Sequence, residues 1–413
     1  MITGDDYRAS LRDGRAVWLD GARMPDVNDD ELLAKSISWV ASTYDRFAGK
    51  TNPIFAVPRT QAELREQIEL LLDSDRTATT TAGCMALTTL GNPGLAAYAQ
   101  GVIERDARVA AAVDDTAKPV AVVAEQEGGT VIAGGKQHVI GAAVVHELLV
   151  LAGDVACAVP VRAPGVRVIS HTPAPRADDD RHFPYSRSHT ISEAIVVFDD
   201  VLVPAERVFR DAAGFADTLQ VWDRARAVAD QADRAELIMG LAQTISEMNG
   251  IQAVSHVRDK LSAIAVYAKM CRAGWEAALA NARVNDGGMV CPDDSYLYAT
   301  KSYGGHLYSE MTHYLHDVAG GSVITAPTIA DLENPETGDY LRKYMQTMHG
   351  VSGEHRARIF HIIRDLFADT YAGWDKVTNQ LVGGGMHHQR MATLDSFDLE
   401  PVKAKARVAA GIE

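Results

Sequence analysis

The chain has 413 residues, 47% of them hydrophobic, and a formal net charge of −15. That length permits two or three domains with substantial cores. The acidic balance, with no Lys/Arg cluster to offset it, argues against nucleic acid and anionic membrane surfaces as partners. The N-terminus, MITGDDYRASLRDGR, is polar and lacks an apolar signal segment. No apolar run approaches the ~20 residues that span a bilayer, so a cytoplasmic protein is expected. Cys84, Cys157, Cys271 and Cys291 lie far apart and form no CxxC pair, which argues against a disulfide framework and a structural zinc site.

Residues 1–115 read as a helical N-terminal domain. Thr60 and Glu63 form a capping box ahead of Leu64, Ile68, Leu71 and Leu72, which share one helical face. A polar cluster from Thr77 to Thr81 leads into Gly83, Cys84 and Met85. Asn92-Pro93-Gly94 marks a turn, and a helix from Ala96 to Ala112 is expected after it.

Residues 116–209 change character. Short β-rich runs cover Val120–Ala124, Val131–Ile132, Leu148–Leu151, Val155–Val161, Val166–Ile169 and Ala194–Phe198. Glu127-Gly128-Gly129 separates the first two as a hairpin does. Strands this closely spaced predict a small barrel or sandwich. Within them, Val131–Asp154 has glycine bends at Gly134, Gly135 and Gly141, with Lys136, His138 and His146 at the edge of an apolar block. Glycine lets a backbone pass close to a flat ligand or take positive φ, so this stretch is either a cofactor seat or a hairpin with a solvated turn. The Pro- and Asp-rich segment His171–Ser186 reads as a solvated connection, with a lid as the alternative.

Residues 210–413 turn helical again, with long segments near 216–250, 253–283, 295–319 and 354–382. Four such helices are the material of a bundle. The pattern predicts an α+β chain: helical N-terminal domain, central β-barrel or sandwich, C-terminal four-helix bundle.

Several stretches carry a resemblance. They are Gly134, Lys136, His138, Gly141, His146 and Glu147; Val196–Phe209; Ser255–Leu261; Asp317–Gly321; and the glycine-rich Val382–Arg390. The chain resembles the flavoprotein family of 4-hydroxyphenylacetate 3-monooxygenase and 4-hydroxybutyryl-CoA dehydratase, closer to the dehydratase branch. The resemblance implies an acyl-CoA dehydrogenase-like fold, FAD as cofactor, and a homotetramer or homodimer. It places FAD contacts at Asp115, Thr116, His138, Ile140, Gly141, Gly383, Gly384, Gly385, Met386 and Gln389. A glycine loop opening a helix offers backbone N–H groups to pyrophosphate oxygens.

Departures from the family decide the chemistry. The dehydratase's iron–sulfur ligands fall on Thr80, Cys84, Asp223 and Asp230, so one of four ligands remains and no cluster is expected. Its general base and helpers fall on Asp223, Ala227 and Gln231. The hydroxylase's phenol-binding arginine and tyrosine fall around Gly91 to Leu95, and its histidine on Ala111 or Ala112. No GxGxxG lies between a strand and a helix, so a separate reductase is expected to supply reduced FAD.

The resulting expectation is a two-component monooxygenase acting on a small aromatic or amine metabolite. An iron-free flavin dehydratase, isomerase or desaturase is the alternative, and a flavoprotein without turnover is another. His138, His146 and Asp223 are the candidate catalytic residues, with Thr80, Cys84, Asn92 and Asp230 towards the substrate and no metal. Asp223 and Asp230, two helical turns apart, either share a substrate-facing surface or a solvated one.

Overall fold

The computed structural model describes residues 1–175, 181–210, 214–347, 350–380 and 385–412. Helix α1 (Gly4–Ser10) is followed by a hairpin of β1 (Val17–Leu19) and β2 (Ala22–Met24). Next come α2 (Glu31–Phe47), α3 (Gln61–Leu72), α4 (Arg76–Ala86) and α5 (Pro93–Arg105). Asp30 caps α2 by accepting from Leu32 N–H and Leu33 N–H, and Leu33, Ile37, Val40, Ala41 and Tyr44 form its buried stripe. That stripe packs on α1, where Tyr44 stacks on Tyr7, and on the strands.

Among the described residues, ten strands build the two larger sheets, and Arg283–Val284 pairs with Val290–Cys291 in a separate short ladder. The remaining eight are β3 (Val109–Ala112), β4 (Ala121–Gln126), β5 (Gly129–Ile140), β6 (Glu147–Ala152), β7 (Val155–Pro160), β8 (Val166–His171), β9 (Glu193–Pro204) and β10 (Val208–Phe209). One sheet has the order β2-β1-β8-β9-β5-β4, the other β10-β7-β6-β3. The helix expected over Ala96–Ala112 therefore ends at Arg105, where Asp106 takes a left-handed φ, and its last residues form β3 beside β6. Alanine-rich sequence favours helix, but burial between α4 and β6 overrides propensity here. Strand β8 alternates buried and exposed residues, as a sheet with one wet face requires, whereas β6 is buried along nearly its whole length.

The glycine bends of β5 have a structural occupant. A Cβ on Gly134 would overlap the Pro119 carbonyl, and one on Gly135 would crowd Thr116. These two bends admit neighbouring protein, not a flat ligand.

The helical half contains α6 (Phe215–Leu219), α7 (Val221–Met248), α8 (Ser255–Ala280) and α9 (Asp294–Ala319). Short helices α10 (Ser322–Thr325), α11 (Ile329–Glu333) and α12 (Gly338–Tyr344) precede α13 (Gly353–Phe367). The expected fourth long helix is broken: Ala368 leaves helical geometry and Asp369 caps α14 (Thr370–Asp375). A π-helical turn, Lys376–Gln380, follows. Helices α15 (Gly385–Asp395) and α16 (Leu399–Ala409) end the chain. One hydrophobic core runs through α7, α8, α9 and α13 and takes in α3 and α4; a second fills the strands with α1 and α2. Trp374 touches both.

Candidate active site

The end of the six-stranded sheet, the first turn of α4 and the segment Tyr371–Asn379 converge. Gly141, at φ +75°, donates its N–H to the Ser192 carbonyl at 2.7 Å. A Cβ there would overlap Thr77 on α4, so only glycine lets the sheet end dock on that helix. From α4, the Arg76 guanidinium donates to the Thr378 carbonyl in the π-helical turn. Tyr371 Oη donates to the His189 carbonyl at 3.0 Å, closing the third side.

Unused hydrogen-bonding atoms collect at this junction. Ser170 Oγ, Thr190 Oγ1, Ser192 Oγ and Trp374 Nε1 are buried and find no partner among the described residues. A buried polar atom left unpaired costs about 1–3 kcal/mol, and such atoms in native structures call for an explanation such as an absent ligand. Ile140 pairs with Glu193 and Ser170 with Ala194, so Ile140, Gly141, Ser170 and Ser192 share one sheet end. His138 sits there too. A register shift between Lys136 and Val139 gives it φ +56° and turns its ring out, 60% exposed, with Nδ1 at 2.8 Å from Glu193 Oε1.

Behind the junction lies a buried charged cluster. Arg226 on α7 donates to Thr79 Oγ1 at 3.2 Å and the Ser74 carbonyl at 2.9 Å. Arg234 pairs with Asp375 at 3.4 Å and lies over the Tyr185 ring. Lys301 on α9, 3% exposed, donates to the Asn379 carbonyl. Asp230 Oδ2, Asp375 Oδ2 and Arg76 Nε are buried without a partner among the described residues. Burial, and then the repulsion of Arg76, lowers Lys301 to about 7. The same two causes lower Arg226 to about 10, and burial raises Asp223 above the usual carboxylate range. Asp223 and Asp230 therefore belong to this interior and not to a solvated helix face.

Other expected site residues are committed elsewhere. His146 accepts from Arg108 N–H at Nδ1, 2.8 Å, and its Nε2 lies 2.8 Å from Ser10 Oγ. Burial, aided by Arg15, lowers it to about 4. With both ring nitrogens engaged, it cannot serve as a base, which corrects its catalytic assignment. Cys84 lies in a closed apolar core with Met85, Leu95 and Leu149, not on a substrate surface. Asn92 caps α5 by accepting from Gly94 N–H and Leu95 N–H, so its side chain is spent on the helix. Asp115 pairs with buried Lys136 at 2.6 Å, and Thr116 Oγ1 donates within its own loop to the Lys118 and Gly135 carbonyls. Thr80 is buried on α4 beside Thr79. Gly385 and Met386 open α15, and Gln389 is buried on it. Gly383 and Gly384 lie outside the described residues.

The segment expected as a solvated connection is instead tied to the helical half where it is described. Tyr185 N–H and Ser186 N–H both donate to Asp365 Oδ2 at 2.9 Å, and Arg364 donates to the His182 carbonyl at 2.8 Å. Among the described residues, no group of three His, Cys, Asp or Glu side chains is placed to hold a metal ion.

Residues 94–210 match the model of the 4-hydroxyphenylacetate 3-hydroxylase N-terminal domain, and residues 212–411 match that of its C-terminal domain. The 4-hydroxyphenylacetate 3-monooxygenase oxygenase component of Thermus thermophilus is 24% identical over 70% of this chain and 63% of its own length. The chain thus spans under two thirds of that relative. A solved oxygenase component of 4-hydroxyphenylacetate 3-monooxygenase superposes with a TM-score of 0.88 at 22% identity, covering 99% of this chain and 98% of that one. The 4-hydroxybutyryl-CoA dehydratase of N. maritimus gives 0.83 at 22%, covering 100% and 95%. Butyryl-CoA dehydrogenase from Megasphaera elsdenii gives 0.54 at 14%, covering 95% and 94%. At these identities the superpositions establish the fold, which is acyl-CoA dehydrogenase-like.

Proposed function

The chain belongs to the 4-hydroxyphenylacetate 3-hydroxylase family, and on that premise we propose that it is the FAD-using oxygenase of a two-component monooxygenase. A separate reductase supplies reduced FAD, and the substrate is a small aromatic or amine metabolite. The observation that carries this reading is the set of unpartnered buried atoms at the sheet end, Ser170 Oγ, Thr190 Oγ1, Ser192 Oγ and Trp374 Nε1. A flat ring with several polar edges, as in a flavin, satisfies donors and acceptors arranged this way. When bound, reduced FAD activates oxygen for transfer to the substrate.

The chain's own residues bind, orient and exclude water. Ile140, Gly141, Thr190 and Ser192 line the seat, His138 reaches it from the bulge, and the family resemblance adds Gly385, Met386 and Gln389 of α15, which packs on α9. Trp374 covers it on the helical side. Asp115 and Thr116 act indirectly, by holding Lys136 and Gly135 in the strand.

Anaerobic titration with reduced FAD, followed by oxygen and a panel of small phenols and amines, tests the proposal. Binding of reduced FAD and an oxygen-dependent gain of one oxygen atom in a product, read by mass spectrometry, are expected. Turnover without oxygen or reductant contradicts it and assigns dehydratase-type chemistry. Iron and sulfide analysis of anaerobically prepared protein is expected to find neither.

A homo-oligomer is also proposed. Leu394, Phe397, Leu399, Val402 and Val408 on and beside α15 and α16 are exposed, and α16 buries no residue. Light scattering that returns a monomer contradicts it. No described helix is long and apolar enough to cross a membrane.

A further inference from the structure

The charged cluster behind the sheet end is incomplete as protein alone. Four basic side chains, Arg76, Arg226, Arg234 and Lys301, share this interior with Asp223, Asp230 and Asp375, and Asp75 also acts on Arg226. An uncompensated buried charge is costly. Arg76 is 4% exposed, yet its Nε has no partner among the described residues. Asp230 Oδ2 is likewise buried and unpartnered.

We propose that Lys301 and Arg76 receive an anionic oxygen of the substrate, a carboxylate or an ionised phenol, while Asp230 accepts from a donor on the same ligand. This deepens the oxygenase reading and rests on it. The cluster adjoins the sheet end through Arg76 and the π-helical turn, so a ligand held there lies on the bundle side of the flavin seat. A phenol entering the site passes its O–H proton to the neutral Lys301 amine, leaving a phenolate beside an ammonium. Three charged groups on the surrounding helices interact directly with Lys301: Arg76 on α4, Asp230 on α7 and Asp375 on α14. Burial and Arg76 hold its amine at about 7, below an ordinary phenol at about 10, so the exchange relies on Arg76 and the new ammonium to stabilise the phenolate and is easiest for the more acidic phenols.

The test uses the full chain loaded anaerobically with reduced FAD and two probes, 4-nitrophenol and phenylacetate. The wild type is expected to bind 4-nitrophenol as its coloured phenolate at a pH below that phenol's own pKa. Tighter binding of phenylacetate instead assigns a carboxylate to the site. Lys301→Met is expected to weaken the preferred probe roughly 10- to 100-fold, the range for one charge-assisted hydrogen bond, and to leave reduced-FAD affinity unchanged. Lys301→Arg keeps the charge at all pH values, so it is expected to keep probe affinity while the wild type's loss of anion binding as pH rises through neutrality disappears. Unaltered probe binding in Lys301→Met, an unaltered pH profile in Lys301→Arg, or a flavin-loaded wild type that binds neither probe overturns the inference. Failure of the wild type to bind reduced FAD fails the oxygenase reading, a separate result.

Discussion

Two basic side chains depressed by desolvation, one among the strands and one in the bundle, behave oppositely. His146, among the strands, has Arg108 N–H on one ring nitrogen and Ser10 Oγ on the other. It is neutral through the physiological range, at about 4. Lys301, in the bundle, sits near 7 among charged groups whose hydrogen-bonding atoms are partly unused. Burial depresses both. What separates them is completeness: the histidine's neighbours satisfy it, while the cluster around Lys301 leaves Arg76 Nε and Asp230 Oδ2 without a partner among the described residues. A perturbed basic group signals function where its surroundings are unfinished, and structure where they are closed.

The largest effect that sharpens this contrast comes from the cluster itself. Arg234→Met leaves the buried Asp375 carboxylate without its cation, and a loss of roughly 3–5 kcal/mol is expected in denaturant unfolding. Replacing both partners by apolar residues is expected to cost less than replacing one. Equal costs contradict the pairing.

The docking of the sheet end on α4 comes next. Gly141→Ala adds a methyl group that overlaps Thr77 and forces alanine to a left-handed φ, for a loss of about 2–4 kcal/mol. A Thr77→Ser background removes the colliding methyl group and keeps the hydroxyl that bonds Asp75. It is expected to recover the steric part, leaving about 1 kcal/mol of backbone strain. No recovery means that Gly141 does not meet α4 as described.

His146→Leu is expected to cost about 1–2 kcal/mol by orphaning Arg108 N–H. Its folded pKa, about 4, lies below the 6.5 of a free histidine. The unfolded chain therefore binds the extra proton between those values. Stability from this site is fully present above pH 6.5 and is lost as pH falls towards 4. The variant is expected to lack that one-proton slope, while the pH dependence of activity stays as in the wild type. A shifted activity profile would return His146 to the catalytic list.

The smallest effect falls on the sheet end's exposed ring. His138→Ala is expected to leave the fold intact and to weaken reduced-FAD binding by roughly 3- to 10-fold, the worth of one hydrogen bond. Unchanged affinity removes His138 from the seat.

The layout was legible because β-rich runs and helical spacings are local signals: β4, β5 and β6 each run into a glycine turn, at Gly128, Gly141 and Gly153. Strand β3 was not, since its alanines favour a helix until β6 and α4 bury them. Within the proposed seat, His138, Ile140 and Gly141 were named through the family resemblance. The buried grouping of Arg226, Asp230 and Arg234 was not. Spaced four apart on α7, they have the pattern of an exposed ion-pair ladder. Only the packing of α4, α9 and the π-helical turn against that face turns the ladder inward. Lys301 and Asp375 lie far from α7 in the chain, so no spacing rule joins them to it.

Hydrogen–deuterium exchange with and without reduced FAD, under anaerobic conditions, tests the location of the site most directly. Protection is expected in residues 138–141, 190–194 and 371–380, where strands and late helices meet. Bound flavin that leaves all three segments unprotected, or protects a different surface alone, contradicts the account.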